Sequence, residues 1–255
     1  MALKPLGTTG ISLSPIGLGT VKFGRNQGVK YPSGFDIPDE SSLADLLALA
    51  KDLGINTLDT APAYGLSEER LGRLLQGQRE DWVIIGKAGE EFENGHSHYD
   101  FSPQHFAHSL ERSLKRLQTD YLDIFLVHSD GNDHSALRDD LIAAMIDFKA
   151  RGLVRAIGAS TKTVAGGLRA LDTMDTVMIA YHQDYQDEKP VLDKAAALGK
   201  GALLKKILAS GHNTNITAAL EFCFKQPAVT SAIIGTINPV HLQDNIERYN
   251  AITKL

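Results

Sequence analysis

The chain lacks the features that mark secreted, membrane-bound and nucleic-acid-binding proteins. Its 255 residues include one cysteine, Cys223, which excludes an intrachain disulfide. No apolar run approaches the roughly 18 residues of a membrane span, and the opening MALKPLGTTG has no apolar segment of a secretory signal. Lys and Arg number 26 against 31 Asp and Glu, so the net charge of −5 provides no basic face for nucleic acid or a membrane surface. We therefore expect a cytoplasmic protein with neither partner.

A glycine-rich GxGxxG motif is also missing, which argues against a doubly wound nucleotide-binding sheet. Instead, short apolar runs alternate with helical patterns along the chain, as in parallel strands that are buried on both faces. The length suits one α/β domain over 1–255, and eight such units without a linker predict a (β/α)8 TIM barrel. The predicted strands are 15–20, 55–60, 82–87, 123–128, 154–160, 176–181, 201–206 and 231–236.

Two segments outside these units have a predicted place in the barrel. LKPLGTTGISLSP, ahead of the first strand, has two short β-like runs around GTTG and predicts an N-terminal β-hairpin that caps the barrel bottom. The segment 88–102 is interpreted as the longest loop after a strand. It would lie on the rim and face the substrate.

Four polar residues end three consecutive predicted strands or follow them closely. They are Asp59 and Tyr64 in LDTAPAYG, Lys87 in WVIIGKAG and His128 in DIFLVHSD. In a parallel barrel the carboxyl ends of the strands share one rim, so these side chains should converge. A lysine beside a phenol favours the phenolate and lowers the tyrosine pKa. The set predicts a proton-transfer site in which a cofactor supplies any hydride.

Each residue alone has a simpler interpretation. Asp59 could cap a turn, Tyr64 could line a wall, Lys87 could lie on the surface and His128 could be structural. The functional interpretation rests on the group, because titratable side chains gathered in one cleft are costly without a use. The histidines His96, His98, His105 and His108 have no Cys or acidic partner to complete a set, so we expect no metal site.

With these motifs in view, the chain resembles the aldo-keto reductases over nearly its whole length. KPLGTTGISLSPIGLGT is similar to the opening hairpin and first strand of the family, and LDTAPAYGLSEERLG to its aspartate–tyrosine signature. IIGKAG carries the lysine, and SLERSLKRLQTDYLDIFLVHS leads to the histidine. VRAIGAS, the LASG turn and AIIGTINPVHLQDN extend the match, more loosely, towards the C-terminus.

The resemblance implies a role for each matching position. Tyr64 would be the general acid in carbonyl reduction, Lys87 held by Asp59 would lower its pKa, and His128 would orient the carbonyl. The cofactor would be NADP, with NAD as the alternative. Its nicotinamide would contact Gly19, Thr20 and Ser160, its pyrophosphate Leu208, Ser210 and Gly211, and its adenosine end Thr236, Asn238, His241 and Asn245.

Three positions depart from the family pattern. Met178 replaces a glutamine that binds the carboxamide, and Lys205 replaces the aromatic that stacks on the nicotinamide, so we expect Lys205 to contact the cofactor. At the adenosine end, His241 stands where NADP-preferring members often have a cation. Only His212–Thr214 separate the LASG turn from the next helix, so we expect no lid from this segment.

Several functions remain open at this point. The leading hypothesis is an NAD(P)H-dependent reductase of a small carbonyl or sugar-like substrate, acting as a monomer or weak homo-oligomer. The alternatives are a sugar or alcohol dehydrogenase, a nucleotide-sensing regulatory subunit on the same barrel, and an aldolase-type enzyme in which Lys87 forms a Schiff base.

Overall fold

A computed structural model describes residues 1–253, which form a closed eight-stranded parallel barrel. The predicted (β/α)8 fold is confirmed. Every predicted strand is present, with ends that differ by up to two residues. In the order in which neighbours pair, the strands are β3 (Ile16–Gly19), β4 (Thr57–Asp59), β5 (Val83–Ala88), β8 (Leu122–His128), β9 (Val154–Ser160), β10 (Thr176–Ala180), β11 (Ala202–Lys205) and β12 (Val229–Ile234).

The predicted hairpin precedes the barrel. Strands β1 (Lys4–Pro5) and β2 (Ser12–Leu13) pair antiparallel. Leu6 and Leu13 are fully buried and belong to the same apolar cluster as residues inside the barrel. The hairpin is also tied to the last strand, because Lys4 Nζ donates to the Val229 carbonyl at 2.6 Å. It therefore closes the end of the barrel opposite to the strand carboxyl ends.

Alternation along the strands separates two cores. Ile85, Leu126 and Leu203 pack inside the barrel, whereas their neighbours Ile84 and Phe125 pack outwards against the helices. Burial of one such side chain stabilises the fold by about 1.5–3 kcal/mol. Because side chains alternate, the residue two positions after an inner residue also faces the barrel axis. Where the strand ends at that residue, its side chain lies at the barrel mouth.

The helices cover the outside of the barrel with apolar stripes. In the first helix, Leu43, Leu46, Leu47 and Ala50 are buried at helical spacing, and Asp39 caps its start by accepting from the Ser42 amide at 2.7 Å. Within residues 1–253 no helix is long and apolar enough to cross a membrane. The helices are α1 (Glu40–Asp52), α2 (Ser67–Leu74), α3 (Pro103–Leu117), α4 (Asp133–Ala136), α5 (Asp139–Ala150), α6 (Val164–Thr173), α7 (Lys189–Ala197), α8 (Ile216–Phe224) and α9 (Pro239–Thr253).

Two connections at the mouth differ from expectation. The segment 88–102 contains an antiparallel hairpin, β6 (Glu90–Glu93) and β7 (His96–Tyr99), joined by Asn94 and Gly95 at positive φ. The interpretation of 88–102 as the longest loop after a strand is wrong. The connection from β3 to α1, residues 20–39, is longer and contains only a short 3-10 helix, Val21–Phe23.

Candidate active site

Lys87 brings three of the four predicted residues together. Its ammonium donates to Asp59 Oδ1 at 2.5 Å, to the Thr60 carbonyl at 3.0 Å and to Tyr64 Oη at 3.1 Å. The lysine side chain is 1% exposed and that of Asp59 is 7% exposed. A buried ammonium is tolerated only with such partners. The phenol is thereby fixed at the mouth by a buried ion pair.

Tyr64 reaches this position through a tight backbone crossing. It ends a 3-10 helix, Pro62–Tyr64, that follows β4, and Gly65 then turns the chain at φ +61°. A Cβ on Gly65 would lie 2.2 Å from the Gly24 carbonyl oxygen, and one on Gly24 would lie 2.4 Å from the Tyr64 carbonyl. Both positions thus require glycine.

The pKa of Tyr64 moves in the direction opposite to the one predicted. Burial of the phenol raises its pKa well above the usual value of 10, and the carboxylates of Asp59 and Glu90 raise it further. Lys87 is ion-paired with Asp59 at 2.5 Å, so its charge does not reverse the effect of burial on the phenol. Tyr64 is therefore a neutral phenol, which holds a proton it can give.

His128 lies beside this group and makes an unpredicted contact. Its ring meets that of Tyr64 edge-on, with centroids 6.2 Å apart, and its Nδ1 lies 3.1 Å from Glu90 Oε2. Burial holds the His128 pKa well below 6.5, assisted by the charges of Lys87 and Lys205. Because Glu90 is on the β6–β7 hairpin, that hairpin helps to form the site.

The two residues at the end of β3 are both buried, and a Cβ on Gly19 would lie 3.1 Å from Ile233 Cγ2. Thr20 is fully buried, and its hydroxyl donates to the Asp59 carbonyl at 2.8 Å and accepts from Ser67 Oγ at 2.8 Å. Thr20 thus supports the strand that carries Asp59, and its hydroxyl is engaged within the protein.

Lys205 points into the mouth, two residues after the inner residue Leu203. Its ammonium donates to Ser160 Oγ and to the Thr161 carbonyl, both at 2.8 Å. Burial, with help from nearby Lys206, lowers its pKa to about 7, and burial raises that of neighbouring Glu188 to about 7. Met178, at the predicted place of the missing glutamine, is buried in the inner core and offers no amide.

The LASG turn after β11 has an unusual backbone. Ala209 and Ser210 have φ values of 47° and 60°, and Lys206 just before them has 58°. Such left-handed non-glycine residues cost about 1–3 kcal/mol each and cluster at binding sites. The turn closes through amides of Gly211 and Asn213 that donate to the Leu208 carbonyl at 2.8 and 3.1 Å.

The predicted adenosine end surrounds the start of α9. Thr236 Oγ1 accepts from the Asn238 amide at 3.1 Å, and Asn238 Oδ1 accepts from the Val240 amide at 2.9 Å. His241 is exposed, whereas Asn245 is buried and its Oδ1 has no hydrogen-bond partner. An orphaned buried acceptor fits a ligand donor such as an amino group.

These residues fit a nicotinamide dinucleotide. At the predicted nicotinamide end the buried hydroxyl of Thr161 has no partner, next to Ser160 and Lys205. Asn245 provides the unpaired acceptor at the other end, and the LASG turn lies on the rim between them. These unpaired polar groups suit a polar, extended ligand along the carboxyl ends of β9 to β12.

The β3–α1 connection reaches across to this same edge. A Cβ on Gly235 would lie 2.9 Å from Tyr31 Oη, and one on Gly211 would lie 3.3 Å from Pro32 Cδ. Lys22 holds Tyr31 in place, with its ammonium 4.0 Å from the ring centroid. The short connection after β11 is thus accompanied by a long segment that follows β3, the strand paired with β12. Hydrophobic periodicity does not predict this contact.

A metal site is a separate question. Across residues 1–253, His, Cys, Asp and Glu side chains form no group of three or more that could hold a metal ion.

The comparisons with known proteins agree with this geometry. The sequence model of the aldo/keto reductase family matches residues 15–211 of this chain. The chain belongs to the aldo/keto reductase family. A crystal structure of a Pseudomonas aeruginosa protein assigned to the aldo-keto reductases is 52% identical, with a TM-score of 0.91, and the match covers 98% of this chain and 96% of that one.

Two curated aldo/keto reductase relatives have more specific names. An NADH-specific methylglyoxal reductase from Escherichia coli is 33% identical over 61% of this chain and 51% of its own length. An L-galactose dehydrogenase from Arabidopsis thaliana is 30% identical over 82% of this chain and 66% of its own length. Membership of the family makes the chain an oxidoreductase, and aldo-keto reductases use nicotinamide cofactors.

Proposed function

We propose that this aldo/keto reductase reduces a small aldehyde or ketone to an alcohol with NAD(P)H, and that Tyr64 is the general acid. The observation that carries the proposal is the hydrogen bond between Lys87 Nζ and Tyr64 Oη, 3.1 Å long, within a buried ion pair with Asp59. A phenol that accepts this hydrogen bond has a fixed position and keeps its own proton for donation to a substrate.

The bound reduced nicotinamide would supply the hydride. Tyr64 would then deliver its proton to the oxygen of the substrate as negative charge develops there. Lys87 would stabilise the phenolate left behind, and Asp59 would hold Lys87 in place. His128 would orient the substrate. Gly19, Ser160 and Lys205 would border the nicotinamide, Leu208, Ser210 and Gly211 the pyrophosphate, and Thr236, Asn238, His241 and Asn245 the adenosine end.

The oxidative direction is the second candidate, and the similarity to an L-galactose dehydrogenase favours it. Oxidation needs Tyr64 to accept a proton and therefore to begin as phenolate. The raised Tyr64 pKa keeps the phenol protonated near neutral pH and supports reduction instead. Comparison of the initial rates of both directions at one pH decides between them.

Cofactor preference follows from the adenosine end. A 2′-phosphate is bound best by Arg or Lys, but the residues at the two matching positions are Gly235 and His241. We place NADP slightly ahead on family frequency, with weak discrimination against NAD. The similarity to an NADH-specific reductase keeps NAD as a strong alternative.

Two other functions have less support. A Schiff base at Lys87 needs a neutral amine, but this ammonium is paired with Asp59 at 2.5 Å. A purely regulatory barrel has no need of the complete set of Asp59, Tyr64, Lys87 and His128. Borohydride trapping of substrate on Lys87 would support the Schiff base, and its absence is expected.

The direct experiment pairs binding with turnover. Intrinsic fluorescence should be quenched by NADPH and by NADH, and a small aldehyde should then cause oxidation of the bound cofactor. Tyr64→Phe should retain the quenching and lose the oxidation. Turnover that survives this substitution would contradict the role of Tyr64.

A further inference from the structure

Lys205 is the second lysine at the barrel mouth, and its partners differ from those of Lys87. The Lys87 ammonium is ion-paired with Asp59 at 2.5 Å. The Lys205 ammonium instead donates to two neutral oxygens, Ser160 Oγ and the Thr161 carbonyl, both at 2.8 Å. These partners hold the side chain in place without a carboxylate to stabilise its charge, as Asp59 does for Lys87.

The surroundings of Lys205 also disfavour its ammonium form. Burial lowers its pKa to about 7, and positive charge from Lys206, Lys162 and Lys87 acts in the same direction. The carboxyl of Glu188 opposes this effect only in part. About half of the Lys205 side chains are therefore neutral amines at pH 7, whereas the neutral fraction of an ordinary lysine is roughly one in 10³.

Two buried polar side chains near this amine have no hydrogen-bond partner. Thr161 is fully buried with an unpaired hydroxyl, and Glu188 is 1% exposed with neither carboxyl oxygen paired. Such groups are rare in folded proteins and are usually satisfied by a water or a ligand. Lys205 itself is partly exposed at the mouth, so a small polar molecule can reach it.

We propose that Lys205 is a covalent site for small aldehydes, which it binds as a reversible imine when no cofactor is present. The neutral amine is the nucleophile. Its nitrogen attacks the carbonyl carbon, and the carbonyl oxygen takes up a proton to give a carbinolamine. The nitrogen then loses a proton, the hydroxyl leaves as water and the C=N bond forms. Solvent at the partly exposed mouth supplies and removes these protons, and nothing is oxidised or reduced.

The imine would occupy part of the cofactor half of the mouth. Ser160 and Lys205 are also the residues that we place beside the nicotinamide, so aldehyde and cofactor should exclude each other there. Excess aldehyde should therefore inhibit the cofactor-free enzyme reversibly. This consequence rests on the proposed function, whereas the imine itself does not, because it needs neither hydride transfer nor Tyr64.

The first test is reductive trapping in the full-length, cofactor-free protein. Glycolaldehyde is added with cyanoborohydride, which reduces an imine to a stable secondary amine, and the labelled lysines are identified by peptide mapping. At pH 7 the label should lie mainly on Lys205. The exposed lysines Lys115 and Lys225 are internal references. Label that is spread evenly over exposed lysines, or that lies mainly on Lys87, would overturn the proposal.

The pH dependence of the same label gives a sharper result. The ratio of Lys205 label to reference label cancels the pH dependence of the reagent. It should stay high up to pH 7 and fall about tenfold per pH unit above it, because only ordinary lysines still gain neutral amine there. A ratio that does not change with pH would contradict the proposal. The groups whose charges act on or respond to Lys205 are Lys206, Lys162, Lys87, Asp59, His128 and Glu188.

Two matched variants identify the amine. Lys205→Arg and Lys206→Arg each keep a cation, and a guanidinium, which stays protonated, forms no imine under these conditions. Lys206 is the demanding control, because it is adjacent and burial lowers its pKa as well. Lys205→Arg should lower the label on this peptide about tenfold or more, and Lys206→Arg should leave it unchanged. If either variant does not fold, the wild-type peptide map still decides, since dominant label on Lys206 would refute the assignment.

A third measurement separates the imine from the proposed function. Saturating NADP⁺, which cannot reduce the aldehyde, should protect Lys205 and leave the label on the reference lysines unchanged. Label on Lys205 that persists with NADP⁺ would keep the imine and contradict the placement of the nicotinamide. A protein that reduces glycolaldehyde with NADPH but takes no label at Lys205 would keep the reductase and overturn the imine.

Discussion

The two halves of the barrel mouth are built differently. At the ends of β4, β5 and β8, which we call the catalytic half, Lys87 makes three hydrogen bonds and is 1% exposed. Along the ends of β9 to β12, the cofactor half, His241 is exposed, and Thr161 and Asn245 each have a buried oxygen without a partner.

The difference lies in how the charged groups are paired before any ligand binds. In the catalytic half Lys87 already binds Asp59 and Tyr64, and such preorganised charges assist a reaction without reorganisation, although His128 Nδ1 has no hydrogen-bond partner. The cofactor half has buried oxygens on Thr161 and Asn245 that a bound ligand can pair with hydrogen bonds. It also has a strained turn at Ala209 and Ser210. Substitutions in the first half should therefore affect chemistry, and those in the second half should affect binding.

The largest expected effect is in the catalytic half. Tyr64→Phe removes the transferred proton and should lower kcat for carbonyl reduction about 10²–10⁴-fold, because a positioned general acid contributes that much. Lys87→Met should cause similar damage by leaving the phenolate without its cation. Cofactor dissociation constants from fluorescence quenching should change little in both variants. A Tyr64→Phe protein that keeps most of its kcat would break the comparison.

The buried carboxyl of Glu188, in the cofactor half, should reveal itself in the pH dependence of stability. Its folded pKa is raised from 4.5 to about 7, so its contribution is full below pH 4.5 and is lost as pH rises to about 7. Glu188→Gln stays neutral and should be more stable than wild type at pH 8, by about 1–2 kcal/mol after allowance for solvent screening.

Denaturant unfolding at pH 5 and pH 8 checks this prediction. The two proteins should differ far less at pH 5, and the exposed control Glu221→Gln should match wild type at both values. A stability gain that is the same at both pH values would show that titration of Glu188 is not its cause.

The adenosine end should control cofactor preference. Wild type should discriminate weakly between NADPH and NADH, and His241→Arg should shift the ratio of dissociation constants about tenfold towards NADPH through charge-assisted hydrogen bonds. Val240→Arg, at an exposed neighbouring position, is the matched control for added charge. Strong NADPH preference in the wild-type protein would indicate another cation at the 2′-phosphate.

The smallest expected effect concerns the β3–α1 connection. Because Tyr31 and Pro32 pack against Gly235 and Gly211, we expect this segment to rearrange as cofactor binds and to add a slow phase of modest amplitude. Tyr31→Ala should accelerate that phase a few-fold in stopped-flow quenching with NADPH. If only one fast phase occurs in wild type, the segment does not gate the cofactor.

Much of the catalytic half was predictable from sequence because strand period and parallel topology fix it. Apolar runs that end in Asp59, Lys87 and His128 place those side chains at one rim with no further information. Lys205 also ends a strand two residues after an inner position, and its ammonium donates to Ser160 Oγ and to the Thr161 carbonyl. Its contact with the cofactor stays a prediction.

The contacts made by loops were not predictable in this way. Glu90 and Tyr31 reach the site through paths that hydrophobic periodicity does not encode. The sequence does contain a signal for the β6–β7 hairpin, because Asn94-Gly95 is a typical two-residue hairpin turn. The direction of the Tyr64 pKa depends on burial and on the pairing of Lys87 with Asp59, which only three-dimensional distances provide.

One measurement tests the central claim most directly: the pH dependence of single-turnover oxidation of enzyme-bound NADPH by an aldehyde. Tyr64 must be protonated to act as the acid, and its pKa lies above the usual value of 10. The rate constant should therefore stay level from pH 6 to about 9 and fall only as pH passes the ordinary tyrosine range. A rate constant that already falls between pH 6 and 8 would assign the proton to another group, such as Lys205 with its pKa of about 7, and would contradict the account.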